Sequence, residues 1–492
     1  MSGGFRSRTK RAKEQAEQEA VHGPKNRPAK RQDTSRNTPK ASNIGNISNI
    51  GDIGDPARQA AFDAVLRVET EDAFGNLVLP QILRERRIKG RDAAFATEIA
   101  YGTLRSLGVL DAVIADCSSR SLNDLDPAVL TVLRLGTYQL LFTRVDDHAA
   151  VDTSVRLVEA AGAGKAKGFV NGILRTVSRT NRDAWMQKLT PEDNIAAIAF
   201  RTAHPEWIAR SFANVLGEDE VEAALDADSQ RPIVHLVARP GEMSAEELAL
   251  VTGGEEGKYS PYAVYLSEGG DPGSLEPVRD RMAAVQDEGS QLIARAVAEI
   301  AVDDDSGRWL DLCAGPGGKA ALMGALAAID GAHVDAVEVS STRADLIRKS
   351  TDGLPVTVHV ADGREPGLEQ GFDRVLVDAP CSGLGALRRR PEARWRKNEA
   401  DIAELNELQS ALLASAVSLT KPGGVIVYST CSPDERETRG IVDKQCAHGD
   451  VEELDVRDVL PEMGELGPHL SAQMWPHRHG TDAMFVAALR KR

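Results

Sequence analysis

"RWLDLCAGPGGKA", residues 308–320, is a short apolar run that breaks into a glycine-rich turn and then into residues suited to a helix. The glycines let backbone approach a ligand closely, and the helix start behind them offers free N–H groups. Spacing excludes two nucleotide motifs. A phosphate-cradling loop needs GxxxxGK followed by Ser or Thr, yet Cys313 holds the first glycine position and Ala320 the hydroxyl position. Gly315, Gly317 and Gly318 do not supply a GxGxxG fingerprint either. What remains is a turn for a ligand that need not carry phosphate.

Downstream, "HVDAVEVS", "VTVHVADG", "FDRVLVDAP" and "GVIVYSTCS" are further short apolar runs, separated by helical segments such as "ADIAELNELQSALLASAVSLT". Strand and helix alternate, which predicts an α/β domain with a parallel, doubly wound, Rossmann-like sheet over residues 285–492. In such sheets ligands bind beyond the carboxyl ends of the strands. The second strand ends at Glu338, expected to accept from two ribose hydroxyls, and the third reaches Asp362, expected to accept from an adenine amino group. A glycine turn followed by two acids at successive strand ends fits S-adenosylmethionine.

The chain has five cysteines and no CxxC pair, which predicts reduced thiols rather than a disulfide framework or a metal site. Cys381 and Cys431 each follow a strand end. The fourth and fifth strands of this sheet type are neighbours, so the two thiols are expected to face each other beside the methyl donor. An isolated cysteine is more often a buried small hydrophobe, but a facing pair suits carbon methylation of a pyrimidine. Carbon 5 of cytosine attacks a methyl sulfonium only after a thiolate has added to carbon 6, and a second group can assist release. Asp378, just before Cys381, is placed to hold ring nitrogen 3 and the amino group. Cys313 is expected to pack beneath the glycine loop with only its backbone near the ligand.

Residues 1–55 are polar, with eleven Lys and Arg against four Asp and Glu in the first forty, and read as a disordered basic tail on a chain of net charge −15. Residues 56–180 predict an all-helical domain. In it Asp126 caps a helix that opens on Pro127 and runs through Val129, Val132, Leu133 and Leu140. "LRERRIKGR", residues 83–91, gives it a basic face. Residues 181–284 predict a small mixed α/β module. "RRRPEARWRK", residues 388–397, carries six basic residues around Trp395; either the arginines pair phosphates while Trp395 stacks an RNA base, or Trp395 packs inside the protein. No run of about eighteen apolar residues and no apolar leader core occurs, so a cytoplasmic protein without a membrane partner is expected.

"DLCAGPGGKA", "DAPCSGLGALRRRPEARW" and "YSTCS", preceded by "VQDEGSQ", closely resemble the RNA 5-methylcytosine methyltransferase (RsmB/NOP) family, and the helical block resembles a NusB-type RNA-binding domain. The resemblance covers roughly residues 56–490 and points to the branch acting on 16S ribosomal RNA. It implies Cys431 as nucleophile, with Cys381 assisting product release. It implies an S-adenosylmethionine pocket lined by Cys313, Ala314, Gly315, Pro316, Gly317, Gly318, Lys319, Glu338, Asp362 and Asp378, with Arg343 as a further candidate. The implied partner is 16S rRNA, free or in a partly assembled small subunit, with no obligate protein partner. A tRNA or DNA cytosine methyltransferase, or a non-catalytic RNA-binding assembly factor, is the alternative. The sequence departs from the family at Gly315, where Ala is usual, at Ala320, where Thr is usual, and over "SQRPIVHLVARPG".

Overall fold

The computed structural model describes residues 53–267 and 270–492; the expected tail falls outside them up to residue 52. Seven helices open the described chain: Pro56–Glu71, Gly75–Glu85, Gly90–Arg105, Leu107–Cys117, Pro127–Phe142, Asp147–Ala160 and Lys167–Val177. Pro127–Phe142 is the hub. The Asp126 carboxylate accepts from the Ala128 N–H at 2.8 Å, Pro127 occupies a first-turn position that needs no donor, and ten of the sixteen residues are buried. A helix buried on most of its surface needs close neighbours. Gly102 provides one approach, since a Cβ there would stand 2.0 Å from the Tyr138 ring. Arg134, on the hub, is buried but pairs Asp111 at 2.7 Å and Glu69 at 2.8 Å, which offsets its desolvation.

Four shorter helices over residues 182–228 lead into an antiparallel sheet of order β2-β3-β1-β4, with β1 Val234–Ala238, β2 Glu255–Glu256, β3 Ala263–Leu266 and β4 Ala283–Val285. A longer helix, Glu288–Glu299, then enters the C-terminal α/β domain.

That domain holds β5 Arg308–Asp311, β6 His333–Glu338, β7 Val356–Val360, β8 Phe372–Asp378, β9 Thr420–Thr430, β10 Val451–Leu454, β11 Ala472–Gln473 and β12 Phe485–Lys491. Their order is β10-β12-β9-β8-β5-β6-β7, with β11 beside β12. From β9 to β7 all pairings are parallel, as expected of a doubly wound sheet. The far side differs: β12 runs antiparallel to β9, and β10 antiparallel to β12, so the sheet is mixed.

Residues 372–377 of β8 are all buried, because helices cover both faces. Leu292, Val297, Leu322 and Met323 of helices Glu288–Glu299 and Gly318–Asp330 pack on Trp309, Leu376 and Val427. Leu412, Leu413 and Val442 of helices Asp401–Leu419 and Arg439–Cys446 pack on Leu310, Val375 and Ile426. The chain leaves β5 toward β6 and β7 and returns to β8 on the other side of β5. The crevice at this switch opens beyond the carboxyl ends of β5 and β8, where the glycine turn and Asp378 lie.

Candidate active site

The turn after β5 is held by backbone and side chains together. Leu312 N–H donates to Leu376 and Ala314 N–H to Val337, each at 2.9 Å, fixing the loop across two neighbouring strands. Gly317 has φ +114° and caps helix Gly318–Asp330; a side chain there would meet the Ser350 hydroxyl at 2.3 Å, so only glycine fits. No side chain caps this helix, leaving its first N–H groups for a ligand. Glu338, buried at the end of β6, accepts from Ser340 N–H at 2.9 Å and lies 3.5 Å from Arg343. Arg343 also donates to the Gly315 carbonyl. A Cβ on residue 315 would fall 2.0 Å from the Glu338 carboxylate, so the glycine departure from the family's usual alanine lets this acid close against the loop.

Asp362 follows β7, but its carboxylate is wrapped by its neighbour. Arg364 donates to it from the backbone at 2.9 Å and from the guanidinium at 3.0 Å, and these bonds lower the carboxyl to about 2. Both of its oxygens accept from Arg364. Cys313 is half-buried, packs beside the core under the loop, and has its thiol pushed well up by burial and then by Asp311.

Across the switch, the sulfurs of Cys381 and Cys431 lie 3.4 Å apart. β8 and β9 are adjacent parallel strands with Asp378 opposite Ser429, so the turns leaving them converge. The hydrogen bond from Cys381 lowers the Cys431 thiol, with Lys319 adding to the effect against burial and Asp378. The same bond and burial push Cys381 well up, with Glu437 adding to it. Of the pair, Cys431 is therefore the thiol that ionises more readily. Lys319 reaches over from the glycine loop to donate to Asp378 at 2.9 Å and to Ser290 at 3.0 Å. Burial disfavours its ammonium, but Asp378 outweighs burial and keeps it charged. The other oxygen of Asp378 accepts from the Ser429 hydroxyl at 2.9 Å. Two facing thiols, one ammonium and one carboxylate thus meet at a single crevice.

Several residues of this centre escaped the sequence reading. Glu437, fully buried, accepts from Ser382 N–H at 2.8 Å, from the Ser382 hydroxyl, and from Gln409 at 3.1 Å, so it fixes the turn behind Cys381. Gly385 donates to the Cys431 carbonyl at 2.9 Å and accepts from Ala483 at 2.8 Å. Asp311 is buried beneath the loop, and burial, then Asp378, raises its carboxyl to about 7.

Most of the arginine-rich segment 388–397 turns inward. Arg388 and Arg389 share Asp287 and Asp482, at 2.5–3.1 Å. Burial alone would raise the Asp287 carboxyl, but His235 and both arginines hold it well below the usual range. Arg394 is fully buried on Asp228 and the Ala203 carbonyl, each at 3.1 Å. Trp395 donates to the Leu104 carbonyl at 3.1 Å and packs against Gly108; Arg396 donates to Ala73 and Val68 carbonyls. Of the two readings of Trp395, packing holds.

Among the described residues, no helix is long and apolar enough to cross a membrane.

Residues 299–490 match the family model for 16S rRNA methyltransferase RsmB/F, and residues 55–179 match the NusB family. A Mycobacterium tuberculosis protein with a provisional methyltransferase designation is 55% identical over 445 residues, 89% of this chain and 96% of that one. The ribosomal RNA small subunit methyltransferase B of Salmonella arizonae is 33% identical over 395 residues, 78% of this chain and 88% of that one. A Bacillus subtilis protein provisionally given the same designation is 30% identical over 460 residues, 88% of this chain and 98% of that one. Among solved structures, PH0851 superposes with a TM-score of 0.76 at 22% identity, covering 90% of this chain and all of that one. NSun6 from Pyrococcus horikoshii with SFG gives 0.50 at 18%, covering 58% and 98%.

Proposed function

Because the chain belongs to the RsmB/F family of ribosomal RNA small subunit methyltransferases, with a NusB domain ahead of the methyltransferase domain, we propose that it methylates carbon 5 of a cytosine in 16S rRNA. The observation that carries this reading is the 3.4 Å Cys381–Cys431 pair beside the Lys319–Asp378 ion pair. A binder that performs no chemistry has no use for two facing thiols at one crevice.

The donor in this reading is S-adenosylmethionine, which supplies an electrophilic methyl on a sulfonium. The residues fit it. The uncapped start of helix Gly318–Asp330 and the glycines before it suit the amino-acid end, and Glu338 at the end of β6 suits the ribose hydroxyls. Arg343, which already fastens the loop, closes that side. Asp362 serves the adenine amino group once Arg364 gives up part of its hold. The NSun6 chain, a fold neighbour, was solved with SFG, an analogue of that donor.

Cys431 adds to carbon 6 of the cytosine, and its bond to sulfur turns carbon 5 into a nucleophile. Asp378, oriented by Lys319 and Ser429, accepts from the exocyclic amino group and steadies the ring during addition. After carbon 5 has taken the methyl group, its proton leaves to solvent water, the carbon 5–carbon 6 double bond re-forms, and the carbon–sulfur bond breaks. Cys381, whose thiol keeps its proton, returns Cys431 to its resting hydrogen bond as the thiolate departs.

Base-resolved mapping of 5-methylcytosine in cells carrying Cys431→Ala tests this reading, with loss of one 16S mark expected. Cys381→Ala is expected to accumulate a protein–RNA adduct stable in denaturing gels. A 16S profile identical to that of wild type in the Cys431→Ala strain sinks the reading.

A further inference from the structure

In segment 388–397, Arg388, Arg389, Arg394 and Arg396 are committed to protein acceptors, whereas Arg390 is exposed and, among the described residues, its guanidinium rests on an aromatic ring alone. That ring is Phe74 of the helical domain, with the Arg390 Cζ 5.3 Å from its centroid. Phe74 is 47% exposed, and Leu77, one turn on, is 63% exposed. Large apolar side chains this open, beside a cation with no carboxylate partner among the described residues, fall at the seam between the helical domain and the segment that follows Cys381.

The ring is also held in place. Arg396 donates to the carbonyl of Ala73 at 3.0 Å, and buried Glu392 accepts from the N–H of Gly75 at 3.1 Å, so both neighbours of Phe74 are clamped by the same segment. The Tyr101 hydroxyl adds a bond to the Gly75 carbonyl at 3.3 Å. An aromatic presented to solvent on a fixed backbone loses little freedom when something stacks on it. Beyond it, helix Gly75–Glu85 runs for roughly 17 Å to the exposed Arg87, Lys89 and Arg91. An aromatic with an arginine beside it, followed by a line of cations, is the arrangement that holds a single strand of nucleic acid by base stacking and phosphate pairing.

We propose that Phe74 and Arg390 form a stacking platform for one unpaired base of the RNA strand that carries the target cytosine, with Arg87, Lys89 and Arg91 pairing the phosphates beyond it. The proposal rests on the RNA-methyltransferase reading above. Chain continuity supports it: Arg390 lies nine residues after Cys381, and Gly385, Arg388 and Arg389 fix the intervening backbone.

The test uses the full chain and unmodified 16S rRNA transcribed in vitro. Affinity is read by fluorescence anisotropy with S-adenosylhomocysteine present, and methyl transfer is read separately with labelled donor. Phe74→Leu and Arg390→Gln are expected to weaken RNA binding roughly five- to a hundredfold, the range for loss of one stacked base. Phe74→Trp is expected to stay within about twofold of wild type, and the affinity for S-adenosylhomocysteine alone is expected to be unaltered in all three. Unchanged RNA affinity in Phe74→Leu overturns the proposal. So does a Phe74→Trp loss as large as that of Phe74→Leu, because the ring would then be packing the seam. Wild-type RNA binding without methyl transfer counts against the methylation reading alone and leaves the platform standing.

Discussion

Asp311 shows how one buried acid ties the glycine loop to pH. Its carboxyl is raised to about 7, first by burial and then by Asp378. A carboxyl whose folded value lies above its unfolded value near 4 contributes stability that is fully present below that pH and is lost as pH rises through about 7. Asp311→Asn removes the ionisation. Urea denaturation should show wild type losing stability relative to the variant between pH 4 and 8, by at most about 4 kcal/mol for a three-unit shift. Parallel pH profiles for the two proteins would refute this. Asp311 stood in the quoted loop, yet nothing in sequence separates a buried acid from one that merely ends a strand. Glu437 is a harder case. It sits in "SPDERE", where nothing in sequence sets it apart from its charged neighbours, and only the fold reveals that it is buried on Ser382 and Gln409. The two cysteines were easier to read, because each marks the end of an apolar run and the order of such strands is restricted.

At the scale of elements, the turn after β8 depends on Gly385. A Cβ there would stand 2.0 Å from the Ala483 carbonyl and 3.0 Å from that of Cys431, and backbone cannot yield as a flexible side chain can. Gly385→Ala should cost about 1–3 kcal/mol in chemical denaturation and should slow formation of the Cys431–RNA adduct at least tenfold, because the displaced turn carries Cys381. An adduct rate equal to wild type would show that the turn tolerates the shift. The five parallel strands were legible as apolar runs bounded by turn residues. The antiparallel flank was not: β12 begins "FVAAL", where two alanines weaken the strand signal, and β10 is four residues with two glutamates. Their strand character comes from pairing with β9 and with each other.

For the whole molecule, segment 388–397 is a brace. Arg396 and Trp395 supply donors to the Val68 and Leu104 carbonyls, in the last turns of helices Pro56–Glu71 and Gly90–Arg105, and to the Ala73 carbonyl just beyond the first of them. Sequence left this segment open between an RNA face and internal packing, because charge alone does not tell a phosphate acceptor from a helix-end carbonyl. Arg396→Ala, which removes two charged hydrogen bonds worth about 1.5–3 kcal/mol each before relaxation, should separate the unfolding of the helical and α/β domains into two calorimetric transitions. A single transition at the wild-type temperature would refute the brace. The position of β12 bears on how the chain comes into being. β9 has β8 on one side and β12 on the other, and roughly 55 residues separate Thr430 from Phe485. At about 5–20 residues per second of synthesis, the strand that ends beside Cys431 spends on the order of three to eleven seconds as an open sheet edge. The helical domain, made earlier, has time to fold, whereas the turns that carry Cys381 and Cys431 wait for β12. In a growing chain Cys431 therefore stands next to an unpaired edge, open to stray pairing, until the closing strand arrives.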